Sequence, residues 1–420
     1  MPVTWPSPTV PHLALWAIAA LSTAGVILRP WHVKEAVWAV AGAALLVVTG
    51  LASPRAAGAA VLRGEDVYLF LAGMMLLVEL ARSEGLFDWV AAHALGVARG
   101  SGHRLFALVY AIGAGVTVFM SNDATAVVLT PAVCAAARHA RAPATPHLYA
   151  CALVANAASF VLPISNPANL VVFDDRMPPL VDWVRLMGLP ALAAIVMTYG
   201  AAAWLFRHDL AQPIEVGPPV PTLSTNGRIA GWALGAVGCA LLFASALGLP
   251  LGAATLATSG LAVGAVLARE RMSPLPLLRH VAWDVLALVA GLFVIVSAVE
   301  STGLLAALVG LLRQAVERSP LATARAAGAI VALASNAMNN LPAGLVAGTV
   351  VNASHAPEQV RAAVAIGIDL GPNLSVTGSL ATILWLAAMR REGEHVSAWS
   401  FLRVGAVAMP LALVPALLLA

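Results

Sequence analysis

Charge is scarce in this chain: only 10% of its 420 residues are Asp, Glu, Lys or Arg. A soluble domain carries about 25% charged residues, so this composition excludes an ordinary soluble protein. Hydrophobic residues make up 60% of the sequence. They gather into repeated apolar runs of roughly 20 residues, the length that crosses a hydrocarbon core. The sequence therefore predicts an all-α polytopic membrane protein.

Lysine and cysteine are also rare. Lys34 is the only lysine among 23 basic residues, and a net charge of +3 gives no reason to expect a nucleic-acid partner. Cys134, Cys151 and Cys239 have no C-x-x-C spacing, so we expect small buried hydrophobic side chains. The ten histidines form no cluster, so we expect neither a metal site nor a cofactor. The first ten residues lack a basic n-region, and we expect no cleavable signal peptide.

Four short polar breaks stand out against this apolar background, at 121–125, 163–169, 335–340 and 369–379. Amide and carboxylate side chains are costly in hydrocarbon unless the protein surrounds them. A broken helix also leaves backbone groups that need protein or a water-filled cavity. We therefore expect the four breaks to meet in the membrane and form one transport site. The alternative for the asparagines is hydrogen bonding that only holds helices together.

The apolar runs occur in the same order on both sides of a polar, proline-containing stretch. We predict an N-terminal repeat over 1–206, a linker over 207–228 and a C-terminal repeat over 229–420. The sequence also favours two amphipathic helices that lie along the membrane interface, at 84–99 and 304–318.

Each repeat contains two apolar arms around an Asn-containing tip, at about 105–137 and 322–352, followed by a broken helix, at 149–173 and 362–388. The arms are either two spans or one re-entrant hairpin. The re-entrant alternative gives five crossings in each half, about ten transmembrane helices in all, and two repeats of inverted topology.

An ungapped internal repeat supports the division into two halves. At a constant offset of 218, residues 66–86 and 284–304 share eight identities, including the Ala-Gly pairs at 72–73 and 290–291. Interrupted segments at corresponding places in two halves are typical of a transporter binding site. With five crossings in each half, 15 of the 23 basic residues fall on one side and 8 on the other. The positive-inside rule then places both termini outside.

Asp123 and Asp369 are the only carboxylates within the breaks, one in each half. A buried carboxyl group can load and release a proton near neutral pH, as a proton-coupled carrier requires. We predict Asp123 as the first proton carrier and Asp369 as the second; a salt bridge or a helix cap is the alternative. The carboxylates near span ends are expected to cap helices or to lie at the interface: Asp66, Glu79, Asp284 and Glu300.

The amides and hydroxyls of the breaks are the predicted substrate-lining set: Asn122, Thr125, Ser165, Asn166, Asn169, Asn336, Asn339, Asn340, Asn373, Thr377, Ser379 and Thr382.

Two of the breaks carry a family resemblance. Asp369-Leu-Gly-Pro-Asn-Leu-Ser-Val-Thr-Gly-Ser-Leu-Ala-Thr-Ile-Leu-Trp385 resembles the D-L-G-P-K-x-T-P-x-G-S-L-A-T-L-L-W signature of the bacterial arsenical pump membrane proteins, the ArsB-type arsenite permeases. The run from Ser121 to Pro131 resembles their N-D-G-A-A-L-I-L-T-P segment and the hairpin of the wider ion-transporter superfamily. Asn339-Asn340-Leu341-Pro342 matches the N-N-x-P of the second hairpin. Two residues depart from the family pattern: Ala124 replaces a glycine, and Asn373 replaces a lysine.

The resemblance implies efflux of arsenite and antimonite from the cytoplasm in exchange for protons, with or without a partner ATPase. It also implies an inner-membrane location, a homodimer, and the lipid bilayer as surroundings. A sodium/proton antiporter of the same superfamily is the alternative. An intramembrane hydrolase has little support because Ile368-Asp369-Leu370 lacks the glycine of a G-x-G-D element, so we expect a protein that is not an enzyme. A channel is the remaining alternative.

Overall fold

Helices form every regular element of the computed structural model, which describes residues 9–173, 177–216, 222–271 and 273–420. The first half contains α1 (Val10–Leu28), α2 (Glu35–Val48), α3 (Pro54–Arg63), α4 (Glu65–Ser83), α5 (Leu86–Ala98), α6 (Gly102–Phe119), α7 (Asn122–Ala124), α8 (Thr130–His139), α9 (Ala144–Ala157), α10 (Pro167–Phe173) and α11 (Leu180–Leu205). A π-helical turn, Thr125–Leu129, joins α7 to α8.

The short helix α12 (Arg207–Leu210) precedes the second half. That half contains α13 (Thr225–Ala246), α14 (Leu251–Glu270), α15 (Leu275–His280), α16 (Asp284–Ser301), α17 (Leu304–Arg318), α18 (Pro320–Met338), α19 (Asn340–Ala353), α20 (Glu358–Leu370), α21 (Leu380–Arg391) and α22 (Ala398–Leu419). Among the described residues, eight helices are long and apolar enough to cross a membrane. The chain is an all-α polytopic membrane protein.

The helices repeat in the order that the sequence predicts. Adding 218 to the first residues of α5, α6 and α11 gives 304, 320 and 398, the first residues of α17, α18 and α22. The short helices α3 and α15 were not predicted, because neither has a long apolar run. Parts of the predicted repeats and linker lie outside the described residues: 1–8, 174–176 with Arg176 of the charge comparison, 217–221 and 272.

The breaks begin and end elsewhere than predicted. The break in the first broken helix was expected at 163–169, but α9 ends at Ala157 and α10 begins at Pro167. Pro163 has no N–H for a helical hydrogen bond and disfavours helical backbone at Leu162, so a helix cannot continue through this point; α9 ends six residues before it. In the second break, expected at 369–379, α20 extends through Asp369 to Leu370 and a 3-10 turn follows.

The two halves have inverted topology, as the directions of α4 and α16 show. Asp66 near the start of α4 and Glu300 near the end of α16 line one cavity. Glu79 near the end of α4 and Val285 at the start of α16 line another cavity. These repeat-related helices therefore run antiparallel.

Both hairpins are re-entrant. The start and end of the first one lie side by side: Ile214 N donates to Gly100 O at 3.1 Å, and Glu215 N donates to Ala140 O at 2.8 Å. The tips end inside protein rather than at a surface, since Asn122 is 1% exposed and Asn340 is 5% exposed. The hairpins therefore enter and leave on one side, and their tips stop within the bundle.

The halves interlock through the second parts of the broken helices. Helix α10 of the first half packs on α19 of the second hairpin, and α21 packs on the π-helical turn and α8 of the first hairpin. The contact between α10 and α19 is close: a Cβ added at Gly348 would lie 2.7 Å from Val171 O. Each half therefore supplies part of the surroundings of the other half's hairpin.

The structure buries Cys134 and Cys151 as expected, but Cys239 is exposed. Cys239 lies on α13, whose outer face has no further helix over it among the described residues; Trp232 and Phe243 on this helix are exposed as well. Hydrophobic exposure of this kind is ordinary for a helix that faces lipid.

Two repeat-related glycines allow close helix crossings outside the hairpins. A Cβ at Gly73 would lie 2.8 Å from Leu256 Cα of α14, and a Cβ at Gly291 would lie 2.7 Å from the Ala39 carbonyl carbon of α2. Side chains cannot approach backbone so closely without moving a helix. Small residues at such crossings are the usual means of close packing in membranes.

We expect Gly73→Ala and Gly291→Ala each to destabilise the purified protein by about 1–3 kcal/mol, the usual cost of overpacking. Thermal unfolding in detergent measures this as a lower Tm. Gly264→Ala is the matched control, since a Cβ at Gly264 meets nothing within 4 Å. Equal Tm values for the three variants would contradict this description of the crossings.

Candidate functional site

The two broken helices place their polar side chains at matching positions. The ends of α9 and α20, Ala157 and Leu370, differ by 213, and so do the starts of α10 and α21, Pro167 and Leu380. At this offset Asn156 corresponds to Asp369. Asn166 corresponds in the same way to Ser379, and Asn169 to Thr382.

The residues at the starts of α10 and α21 each reach across to the other half. Asn166 Oδ1 accepts from Ala168 N at 3.0 Å, while its Nδ2 donates to Asp369 Oδ1. Ser379 Oγ accepts from Thr382 N at 3.1 Å and donates to Asn156 Oδ1 at 3.2 Å. The two crossed bonds are therefore counterparts under the repeat, and they join the two broken helices.

Asn156 is at the centre of the second crossed group. Its Nδ2 donates to Asn373 Oδ1 at 3.0 Å and to Thr382 Oγ1 at 3.3 Å, and Asn373 Nδ2 donates to Leu153 O at 3.1 Å. Asn156, Asn373 and Thr382 are all at most 1% exposed. Asn156 is not among the site residues that the sequence predicts. The offset of 213 residues identifies Asn156, because it pairs this residue with Asp369.

The second hairpin tip is docked on the second break. Asn340 N donates to Gly378 O at 2.8 Å, and Asn339 Nδ2 donates to Thr377 O at 3.4 Å. Asn336 Nδ2 donates to Gly371 O at 2.9 Å, and Thr377 Oγ1 donates back to Asn336 O at 3.1 Å. This tip and this break therefore form one hydrogen-bonded unit.

Asn339 has φ 72° and ψ 152°, a backbone region that L residues rarely occupy. The bonds around it hold the strained residue at the point where the hairpin turns: Asn339 Oδ1 accepts from Leu341 N at 3.3 Å. Its counterpart at offset 218 is Ser121, whose φ of 164° is ordinary extended backbone. The two tips are therefore equivalent in position but not in strain.

The first tip has a similar contact with its own break. Ser165 Oγ donates to Val118 O at 2.9 Å, the carbonyl that corresponds to Asn336 O at offset 218. Asn122 Oδ1 accepts from Asp123 N at 2.9 Å. Thr125 Oγ1 lies 2.8 Å from Thr117 Oγ1, so it ties the two hairpin arms together. Its recorded bonds within the described chain stay inside this hairpin.

The π-helical turn behind the first tip has a local cause. Pro131 has no N–H, and its ring would clash with the carbonyl of residue 127 in a regular α-helix. A wider turn over Thr125–Leu129 accommodates that carbonyl. In the second hairpin, Pro342 lies in the first turn of α19, where a missing N–H costs little.

Asp123 lines a cavity of about 110 Å³ together with Glu79, Ser121 and His280. The remaining walls are mainly apolar. Glu79 is buried, and its carboxylate accepts from Arg82 Nε at 2.9 Å. Glu79 was expected to cap a helix or to lie at the interface, but the structure places it beside Asp123 at this cavity.

A larger cavity of about 590 Å³ lies at the position that the inverted repeat relates to the smaller cavity. At offset 218, its wall residues Phe293 and Val296 correspond to Met75 and Val78 of the smaller cavity. Arg63 and Glu300 lie at the larger cavity with their charged groups 3.5 Å apart. Two equivalent crevices of unequal size therefore flank the hairpins.

The hydrogen bonds of the four breaks join only amides, hydroxyls, backbone groups and the Asp369 carboxyl within the described chain. Lysine and arginine take no part in them. The described residues also contain no group of three or more His, Cys, Asp or Glu side chains that could hold a metal ion. The two described cavities are lined by none of the twelve predicted substrate-lining residues, which are bonded mainly to one another and to the backbone.

Inverted repeats, re-entrant hairpins and crossed broken helices define a membrane transporter. The chain belongs to the family described as CitMHS, citrate transporter, which matches residues 14–372. Its ArsB-type resemblance is confirmed by curated relatives. The chain is 28% identical over 411 residues to the arsenical pump membrane protein of Escherichia coli K12, covering 93% of this chain and 94% of that one. It is 29% identical over 354 residues to the protein of the same name from Yersinia enterocolitica, covering 80% and 81%.

A solved structure shares the fold. The Alcanivorax borkumensis YdaH transporter, described as having an unusual topology, matches with a TM-score of 0.55. The match covers 98% of this chain and 97% of that chain at 16% identity. At that identity the likeness concerns the architecture alone.

We expect Asn156→Ala to lower the Tm, because it removes the partner of Asn373, Ser379 and Thr382 in a buried setting. Leaving such groups unsatisfied costs about 1–3 kcal/mol each. Asn352→Ala serves as the control, since its amide makes a single bond, to Val172 O at 3.1 Å, at the rim of the larger cavity. A Tm for Asn156→Ala no lower than that of the control would remove Asn156 from the centre of the network.

Proposed function

We propose that this transporter extrudes trivalent metalloid, arsenite and antimonite, from the cytoplasm in exchange for protons. One observation carries the proposal: the polar groups that join the two broken helices are neutral amides and hydroxyls with one carboxyl, and no basic side chain of the described residues bonds with them. Arsenous acid is small, neutral and bears three hydroxyls, so it can both donate to and accept from such groups. The names of the curated relatives support the same substrate class.

Citrate, which appears in the family's description, suits these groups less well. A multiply charged anion needs cations to replace its hydration, and arginine is the usual means of binding carboxylates. Arg63, which lines the larger cavity, lies against Glu300, and Arg82 is bonded to Glu79 of the smaller cavity. The site therefore favours a neutral substrate.

The carboxyls supply the proposed coupling. Asp369 is 1% exposed and has no cationic partner in the described chain. An uncompensated buried charge costs several kcal/mol, so such a carboxyl must bind a proton or a cation to become neutral. Asp123 lines a cavity and is positioned to exchange protons with water there. Sodium could serve the same purpose in a sodium/proton antiporter, but the named relatives do not favour that alternative.

The proposal also includes an orientation. The distribution of basic residues supports termini outside the cell, and with that orientation the cavity of Asp123 and Glu79 opens toward the cytoplasm. Location in the inner membrane, a partner ATPase and a homodimer stay predictions from the family resemblance.

Everted membrane vesicles test the transport reaction. We expect arsenite uptake that depends on an acid interior, and we expect Asp123→Asn and Asp369→Asn each to reduce this uptake at least tenfold, since neither amide can carry a proton. Citrate uptake under the same gradient is the comparison. Citrate uptake without arsenite uptake would refute the substrate, and undiminished arsenite uptake by both variants would refute the coupling.

Reporter fusions test the orientation. Alkaline phosphatase fused after Ala420 should be active, because that enzyme folds only outside the cytoplasm, whereas a fusion in the loop between α21 and α22, after Gly393, should be inactive. The opposite pattern would reverse the assigned orientation of both cavities.

A further inference from the structure

The hydrogen-bonded group around Asn156 is closed off from both cavities, since neither cavity is lined by Asn156, Ser379 or Thr382. The smaller cavity comes near this group. Leu384 of α21 lines that cavity and lies less than one helical turn after Thr382. A solute in the smaller cavity can reach the crossed group only if an element between them moves.

The first hairpin tip covers the crossed group on this side. Helix α7 and the π-helical turn pack on both α9 and α21, the helices that carry the crossed group. Ser121 and Asp123 of the same tip line the smaller cavity. Their counterparts at offset 218, Asn339 and Leu341, line neither cavity. The first tip therefore separates a cavity from the crossed group, and the second tip does not.

Hydrogen bonds hold the first tip only to its own hairpin. Within the described chain, the recorded bonds of residues 119–129 stay inside the hairpin; Thr125 Oγ1, for instance, lies 2.8 Å from Thr117 Oγ1. The second tip is instead bonded to its break through Asn340 N and the Asn339 amide. The first tip can therefore shift without breaking a recorded hydrogen bond to another element.

Helix packing has the same asymmetry. In the second half, the hairpin arm α18 lies directly on the backbone of α20: a Cβ added at Gly328 would lie 2.6 Å from Ala363 O. Gly367 and Gly371 of α20 meet the backbone of α18 at the same crossing. The counterparts on α6 and α9, at offsets of 218 and 213, are the larger residues Tyr110, Val154 and Ala158. The first hairpin is therefore packed less closely on its own broken helix than the second.

The π-helical turn supplies a hinge in the first hairpin. It spans Thr125–Leu129, between the tip and α8, whereas α19 continues from the second tip as regular helix. A hinge needs a few residues that absorb changes in backbone angles, and an irregular turn at the end of an element provides them. Wide turns of this kind are frequent at functional sites.

We propose that the first hairpin tip, residues 119–129, is the gate between the smaller cavity and the crossed group. It opens by bending at the π-helical turn, while the second tip stays docked on its break. That the gate admits a small neutral solute rests on the proposed function, whereas the movement of the tip does not.

Hydrogen–deuterium exchange of the full chain in lipid nanodiscs, read by mass spectrometry, tests the movement without substrate. Asn122 and Asn340, at the two tips, are both buried, so backbone amides there exchange through opening of the structure. We expect the amides of 119–129 to exchange about tenfold faster than those of 337–347, their counterparts at offset 218. Equal or slower exchange at the first tip would overturn the proposal.

Pro131→Ala tests the hinge, because it restores the N–H whose absence favours the wide turn. We expect regular helix there, roughly threefold slower exchange at 119–129, and correspondingly slower arsenite uptake in everted vesicles. Pro342→Ala is the matched control for exchange: α19 already begins as regular helix, so exchange at 343–347 should not change.

In a Pro131→Ala protein whose Tm is not lowered, unchanged or faster exchange would refute the hinge. Slower exchange together with wild-type arsenite uptake would refute the role of the tip as a gate. Wild-type vesicles without any arsenite uptake would refute the proposed substrate instead, and the comparison of the two tips would still decide whether the first one moves.

Discussion

The structure depends on the cost of a polar group left without a partner inside a membrane. Four segments of this chain give up regular helix within hydrocarbon, and each must then find partners for its backbone and its amides. The crossed bonds from Asn166 to Asp369 and from Ser379 to Asn156 meet that need. They also determine the architecture, because each broken helix is completed only by the other half. The site and the fold therefore have the same physical origin.

The inverted repeat creates two equivalent positions at the crossing of the broken helices, and only one of them holds an acid. The amide at Asn156 and the carboxyl at Asp369 have corresponding surroundings, and so do Ser165 with Val118 and Thr377 with Asn336. An exact repeat would carry two acids or none at the crossing point. One acid and one amide leave a single carboxyl at the crossing point, while the rest of the hydrogen-bonding pattern is retained.

Much of this arrangement could be predicted from the sequence, because apolar length, polar breaks and the identities at offset 218 are all local properties. The all-helical membrane fold and the ArsB-type resemblance are confirmed. The exact breaks were wrong, since α9 already ends at Ala157 and α20 continues through Asp369 to Leu370. Asn156 and Glu79 were missed as site residues for another reason. Asn156 lies in an apolar helix, where its partners come from over 200 residues away, and Glu79 looks like an interfacial residue until α4 is placed beside the hairpin.

The packing of α10 on α19 and of α21 on α8 also has a consequence for how the protein is made. The first half leaves the ribosome with its broken helix and its hairpin tip complete in sequence, yet the helix that covers α10 lies about 170 residues further along the chain. Until the second half is inserted, Asn166 Nδ2 also lacks Asp369, its partner in the finished protein. Insertion of the first half is therefore provisional, and the final depth of its hairpin is settled only after the last helices have entered the membrane.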